Sequence, residues 1–63
     1  MRGDRQWVVE ADTPEGPIEM SLNADGDVTR DQVVERLVDE HANETGLRPE
    51  QIRVTDAWSV EVP

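Results

Sequence analysis

The stretch "SLNADGDVTRDQ", residues 21–32, carries the densest set of potential ligand oxygens in the chain. Asn23, Asp25, Asp27 and Asp31 could offer oxygens to Ca²⁺, and Gly26 stands where a twelve-residue calcium loop needs its sharp turn. That loop also needs a carboxylate at its first position and a bidentate acid at its last. Ser21 and Gln32 stand there instead. Turn chemistry accounts for the same residues: Asn23, Asp25 and Gly26 suit a tight turn, and Thr29 suits a helix N-cap. The stretch is therefore either a weak calcium loop or a strand-to-helix connection, and the second needs fewer exceptions.

His41 is the only histidine. As a catalyst it would need a nucleophile or an orienting partner at a pocket. The chain has no Cys and no Tyr, and Ser21 and Ser59 fall within strand patterns. Beside Glu40 and Glu44, His41 reads as a half-buried residue of a helix end, where the dipole favours a cation. Pairs such as Glu35/Asp39 and Arg36/Glu40 fall at i,i+4, one like-charged and one opposite, as on a solvated helix face. There is no Gly-rich phosphate loop and no basic patch. A chain of 63 residues can hardly enclose the few hundred cubic ångströms an active site usually occupies. No catalytic residue and no cofactor are expected.

Charge says more about partners. Fifteen Asp and Glu stand against six basic residues, all Arg, for a formal charge of −9. Such a surface repels nucleic acid and anionic membranes, and it favours either solubility alone or a partner with a basic surface. The folded state repels itself as well, and salt screens that repulsion over ~8 Å at physiological ionic strength. The melting temperature is expected to rise with NaCl; a flat profile from low to high salt contradicts this. The lack of Lys beside abundant Asp, Glu and Val is the composition of a GC-rich genome, such as that of an actinobacterium, its phage or a haloarchaeon. The longest apolar run, Trp7-Val8-Val9, falls far short of the ~20 residues of a membrane helix, and no secretory pattern opens the chain. A cytoplasmic protein is the expectation.

One domain over residues 1–63 is expected, with residues 1–5 flexible. Only 35% of the residues are hydrophobic, against ~45–50% in ordinary domains, so their spacing must carry the folding. "QWVVEAD" (6–12) alternates Trp7, Val9 and Ala11 against Gln6, Val8 and Glu10, as a half-buried strand does. "IEMSL" (18–22) alternates likewise, and "TPEGP" between them is loop chemistry, which gives a hairpin. Over "VTRDQVVERLVDEHANETG" the period becomes helical. Val34, Leu37, Val38 and His41 share a face, with Val33 and Ala42 at its margins. Thr29 with Gln32 allows a capping box, and Gly46 is placed to stop the helix, giving bounds of about 30–45.

"IRVTDAWSVEV" (52–62) then alternates again. Ile52, Val54, Trp58, Val60 and Val62 share one parity, Asp56 interrupts it, and eleven residues would reach ~36 Å, more than the earlier strands can pair. A bulge or tight turn near Thr55–Ala57 is expected, within one kinked strand. The order strand, strand, helix, strand predicts an α+β fold. Its sheet order is 2-1-3 with antiparallel neighbours, and the helix lies on one face. That face would carry Trp7, Val9, Ile18, Met20, Leu22, Ile52, Val54 and Trp58, and the other would be polar apart from Val8 and Ala57.

The hairpin, then "DVTRDQVVERL", then "TGLRPEQIRV" resembles the first two-thirds of the β-grasp (ubiquitin-like) fold over residues 6–54. The resemblance implies the fold only. Modifier and sulfur-carrier members end in a Gly-Gly tail, whereas this sequence ends "VEVP", so conjugation and sulfur transfer are not expected. Lacking the family's last strand, the sheet would be short and open to a strand from a partner. The first half of residues 21–32 similarly resembles the loops of EF-hand and dockerin modules.

These features lead to an acidic protein-interaction module with no catalytic step. Trp58 would anchor a partner, Arg30, Glu35, Asp39, Glu40 and Asn43 would form a charged docking face on the helix, and a homodimer could form through a sheet edge. Two alternatives belong to other classes: an acidic inhibitor imitating DNA, of the phage type directed against nucleases or polymerases, and a Ca²⁺ module using Asn23, Asp25, Asp27 and Asp31.

Overall fold

The computed structural model describes residues 4–62. Three strands and one helix follow in the order β1 (Arg5–Thr13), β2 (Gly16–Ala24), α1 (Arg30–Thr45) and β3 (Arg53–Glu61), with a single 3₁₀ turn at Pro49–Gln51 before β3. The sheet order is β2-β1-β3, and both pairings are antiparallel. This is the expected α+β arrangement, ββαβ, with the helix packed on one face.

Each element ends where the local chemistry requires. The β1–β2 turn is tighter than the five-residue loop read from "TPEGP", because the strands pair as far as Thr13 opposite Gly16. The Thr13 hydroxyl accepts from the Glu15 N–H at 3.1 Å and donates to the Gly16 carbonyl at 2.9 Å. Gly16 has φ +119°, a conformation that side chains rarely tolerate, so the turn depends on a glycine there. Pro17 follows on an edge strand, the place in a sheet where a residue without an N–H is accepted. Helix α1 begins with the full capping box. The Gln32 N–H donates to Thr29 Oγ1 at 3.2 Å, and the Thr29 N–H to Gln32 Oε1 at 2.9 Å. Gly46 ends it in the left-handed region at φ +82°, its N–H on the Ala42 carbonyl at 2.9 Å.

The expected flexible segment 1–5 needs correction at its end. Residues 1–3 lie outside the described residues, but Arg5 belongs to β1, opposite Ala24 and Glu61. The Asp4 carbonyl accepts the Val62 N–H at 3.0 Å.

The core lies between α1 and the sheet and has two joined halves. Trp7, Val9, Val33 and Leu37 form one; Ala11, Ala42 and Ile52 form the other, with Met20 and Val54 packed against both. The buried helix stripe is thus Val33, Leu37 and Ala42, while Val34, Val38 and His41 are only half buried. The helix is rotated from the face centred on Val34 and His41. Both stripes are apolar enough in sequence, and contact with Trp7 and Val9 selects the one containing Val33.

The second correction is larger and concerns β3. Opposite β1, Glu10 pairs with Asp56 and Ala11 with Val54, so Thr55 is an extra residue and the ladder is bulged there. The expected irregularity is real, and it reverses the parity of everything after it. Val54 faces the core before the bulge; Ala57 and Ser59 face it afterwards. Trp58 and Val60 therefore point away from the helix. They are 39% and 50% exposed, and Val62, of the same parity, is 39% exposed. Trp58 is not part of the core face, and Ala57 is.

Candidate functional site

The bulge creates the chief candidate surface, on the sheet face opposite the helix. Side chains alternate along a strand, so this face carries Gln6, Val8, Glu10 and Asp12 of β1 and the residues opposite them. The register places Ser21, Val8 and Trp58 in one row across the three strands. The next row towards the open end of the hairpin is Asn23, Gln6 and Val60. Val8, Trp58, Val60 and Val62 thus form an apolar patch on a face expected to be almost wholly polar. Four apolar groups gathered on the open side of a small sheet call for an explanation in a way that one exposed side chain does not.

Two residues further along β1, about 7 Å away at the usual strand rise, the chemistry changes. Glu19, Glu10 and Asp56 form a single transverse row, each directly opposite its neighbour. Like charges so placed destabilise a sheet, by roughly 0.2–1 kcal/mol per pair. Among the described residues none of the three makes an ion pair. Asp56 is tied only to its own turn of backbone, accepting the Ala57 N–H at 2.9 Å, and Thr55 Oγ1 donates to the Glu10 carbonyl at 3.2 Å. Beside this row Glu10, Asp12, Glu19, Pro17 and Thr55 border a shallow open depression of about 400 Å³. The face is therefore divided: apolar towards one end, anionic towards the other.

The bulge itself can be tested. Deleting Thr55 removes the unpaired residue yet keeps every other pair of the ladder. The deletion is expected to fold, to lose one exposed hydrogen bond of about 0.5–1.5 kcal/mol, and to leave Trp58 outside. Acrylamide quenching of Trp58 emission checks this; a strong loss of quenching means that the bulge does not set the face.

The helix residues named from the sequence do not join Trp58. Arg30, Glu35, Asp39, Glu40 and Asn43 are all exposed, but α1 covers the inner face of the sheet, so they lie on the other side of the molecule. Glu40 is engaged by Arg36 at 3.3 Å, and Arg30 lies 3.9 Å from Asp31. Both pairs are exposed and contribute little. Trp58 and these helix residues therefore belong to two separate surfaces.

The calcium reading finds no gathered ligands. Among the described residues no group of three or more His, Asp or Glu is placed to hold a metal ion. Asn23 lies within β2, Asp25 and Asp27 flank Gly26 in the connection, Asp31 lies in the first turn of α1, and the Val28 N–H closes the turn on the Asp25 carbonyl at 3.1 Å. The connection is occupied with turning the chain into the helix.

An open groove of about 640 Å³ runs between β2 and α1, lined by Leu22, Asn23, Ala24, Asp25, Val28 and, from the helix, Gln32, Val33, Arg36 and Glu40. It holds no Ser, Cys or His, and half-buried His41 lines neither depression. Among the described residues no helix is long and apolar enough to cross a membrane.

No protein-family model matches the chain, and neither a curated protein nor a solved structure matches it.

Proposed function

We propose that this chain is a protein-interaction module without a catalytic step, and that the outer sheet face docks a partner carrying apolar side chains beside basic ones. One observation carries the reading: the Thr55 bulge turns Trp58 and Val60 outward beside Val8, next to the unpaired row of Glu19, Glu10 and Asp56. Trp is the residue type that most often anchors an interface, and a cationic partner would relieve the crowding of the three carboxylates. A second copy of this chain fits less well, because it would bring its own −9 charge to the same surface. Since a sheet face is covered in small domains by a helix, as α1 covers the inner one, a basic amphipathic helix is the simplest occupant. Kinship with the β-grasp proteins belongs to this proposal at the level of topology only, supported by the hairpin, the Thr-capped helix and the returning strand.

The test uses a synthetic 18-residue helical peptide with Leu at i, i+3 and i+4 spacing and Arg elsewhere. A control peptide replaces Leu with Ser at equal charge. The Leu peptide is expected to blue-shift Trp58 emission, and Trp58→Ser to weaken its binding at least tenfold. Equal binding of both peptides, or no effect of Trp58→Ser, overturns the reading in favour of unspecific charge attraction. Mimicry of DNA is favoured by one feature, the carboxylate row, but a row of three that adjoins an apolar patch is short for a duplex backbone.

A further inference from the structure

The two edges of the sheet are defended differently. An unpaired edge offers its free N–H and C=O groups to any extended chain, and proteins usually guard it with bulges, lysines, prolines or inward-pointing charges. Strand β3 is guarded by the Thr55 bulge and by Arg53 and Asp56 along it. On β2 the inward side chains are Ile18, Met20, Leu22 and Ala24, all apolar, and apart from the outward Glu19 the only guard is Pro17 at its start. No bulge interrupts its pairing with β1 from Arg5–Ala24 to Thr13–Gly16. Along this edge the inner side is also unfilled, for the groove between β2 and α1 opens there. Leu22 and Ala24 form its floor, Val28 and Val33 line it, and the exposed Arg36–Glu40 pair stands on the helix side.

The charges around the edge are nearly all of one sign. Glu15 stands in the hairpin turn, Glu19 on the strand, Asp25 and Asp27 just beyond it, and Glu40 across the groove, where Arg36, paired with Glu40, is the one cation among the groove-lining residues. Electrostatic repulsion is thus the guard that the edge otherwise lacks, and it is a selective one. It acts against another copy of this acidic chain and does not act against a basic strand.

We propose that β2 is a strand-acceptor edge: a basic, extended segment of a partner protein pairs with it as a fourth strand and sets its apolar side chains into the groove between Leu22, Ala24 and α1. The incoming strand would lie ~4.8 Å from β2, with alternate residues directed to opposite faces. Those facing inward meet Leu22, Ala24 and Val28, and those facing outward meet Glu19, Ser21 and Asn23. The recognised pattern is therefore alternation of Val or Ile with Arg or Lys, with backbone bonding for affinity and the groove for specificity. This rests on the reading of the chain as an interaction module but uses a different surface, so each can fail without the other.

The probe is a nine-residue acetylated, amidated peptide of alternating Arg and Val, followed by amide NMR shifts. Expected are shifts centred on residues 18–24 together with Val33 and Arg36, and slowed hydrogen exchange along β2. Ala24→Lys, which places a charge in the groove mouth, is expected to weaken the peptide at least tenfold, whereas Trp58→Ser leaves it within twofold. An Arg/Ser peptide of the same charge should bind at least tenfold more weakly than the Arg/Val peptide. Shifts centred on Trp58 and Val60 instead, or unchanged affinity in Ala24→Lys judged folded by circular dichroism, overturn the edge proposal. If Ala24→Lys does not fold, Ser21→Pro on the same strand and the Arg/Ser peptide decide the matter in its place.

Discussion

Trp7→Ala is expected to leave the chain unfolded at 25 °C. Trp7 is 9% exposed and forms the main core cluster with Val9, Val33 and Leu37. Truncating a buried Trp costs about 3–5 kcal/mol, from lost transfer energy and the cavity that remains. A single core in a domain of this size rarely supplies more than about 3–5 kcal/mol in total, so the substitution removes essentially all of it. No disulfide is present to compensate, as the chain has no Cys. Trp7→Phe should behave very differently. The indole Nε1 is buried without a hydrogen-bond partner, and an unsatisfied buried donor costs about 1–3 kcal/mol. Phenylalanine removes that donor while keeping most of the ring, so the two changes offset to within about 1 kcal/mol. Far-UV circular dichroism and urea melts of both variants check the pair; a folded Trp7→Ala protein means that the core does not depend on this side chain.

Glu10→Arg is expected to act in the opposite direction, raising stability by about 1–2 kcal/mol at low salt. Glu10 faces Glu19 on one side and Asp56 on the other, so one substitution turns two repulsive cross-strand pairs into attractive ones. In a domain this small, 1 kcal/mol corresponds to roughly 4–8 °C in melting temperature. The gain should shrink in high NaCl, because exposed charges are screened. If the carboxylate row exists for a cationic partner, the same variant should bind the Leu/Arg helix less well. A more stable protein that binds its ligand worse is the signature of a functional site held at the expense of the fold. A thermal melt in low and high salt reads the first effect, and a variant that melts no higher than wild type means that the row is not under strain.

Much of this fold is legible in the sequence because local signals agree with one another. Thr29 with Gln32 and Gly46 mark the helix ends, and the alternation of Trp7, Val9 and Ala11 with Ile18, Met20 and Leu22 marks the hairpin. What local patterns leave open is a count. A polar residue such as Asp56 within an apolar parity has two explanations: a local exception on an unbroken strand, or a step that exchanges the two faces. Both predict an irregularity near Thr55, and they place Trp58 on opposite sides of the sheet. Only pairing with β1, where Glu10 meets Asp56 and Ala11 meets Val54, separates them. The same ambiguity affected the helix, where adjacent valines at 33 and 34 and at neighbouring turns allow two apolar stripes. The charged residues of α1 and Trp58 lie on different sides of the sheet, a placement that residue chemistry alone does not give.

The extra residue in β3 has a further effect on how this chain can change over time. Upstream of it, Val54 answers to the helix; downstream, Trp58, Val60 and Val62 answer to whatever lies outside. Three positions of one strand can therefore change while the interior keeps its shape, much as a lock can be rekeyed without rebuilding the door.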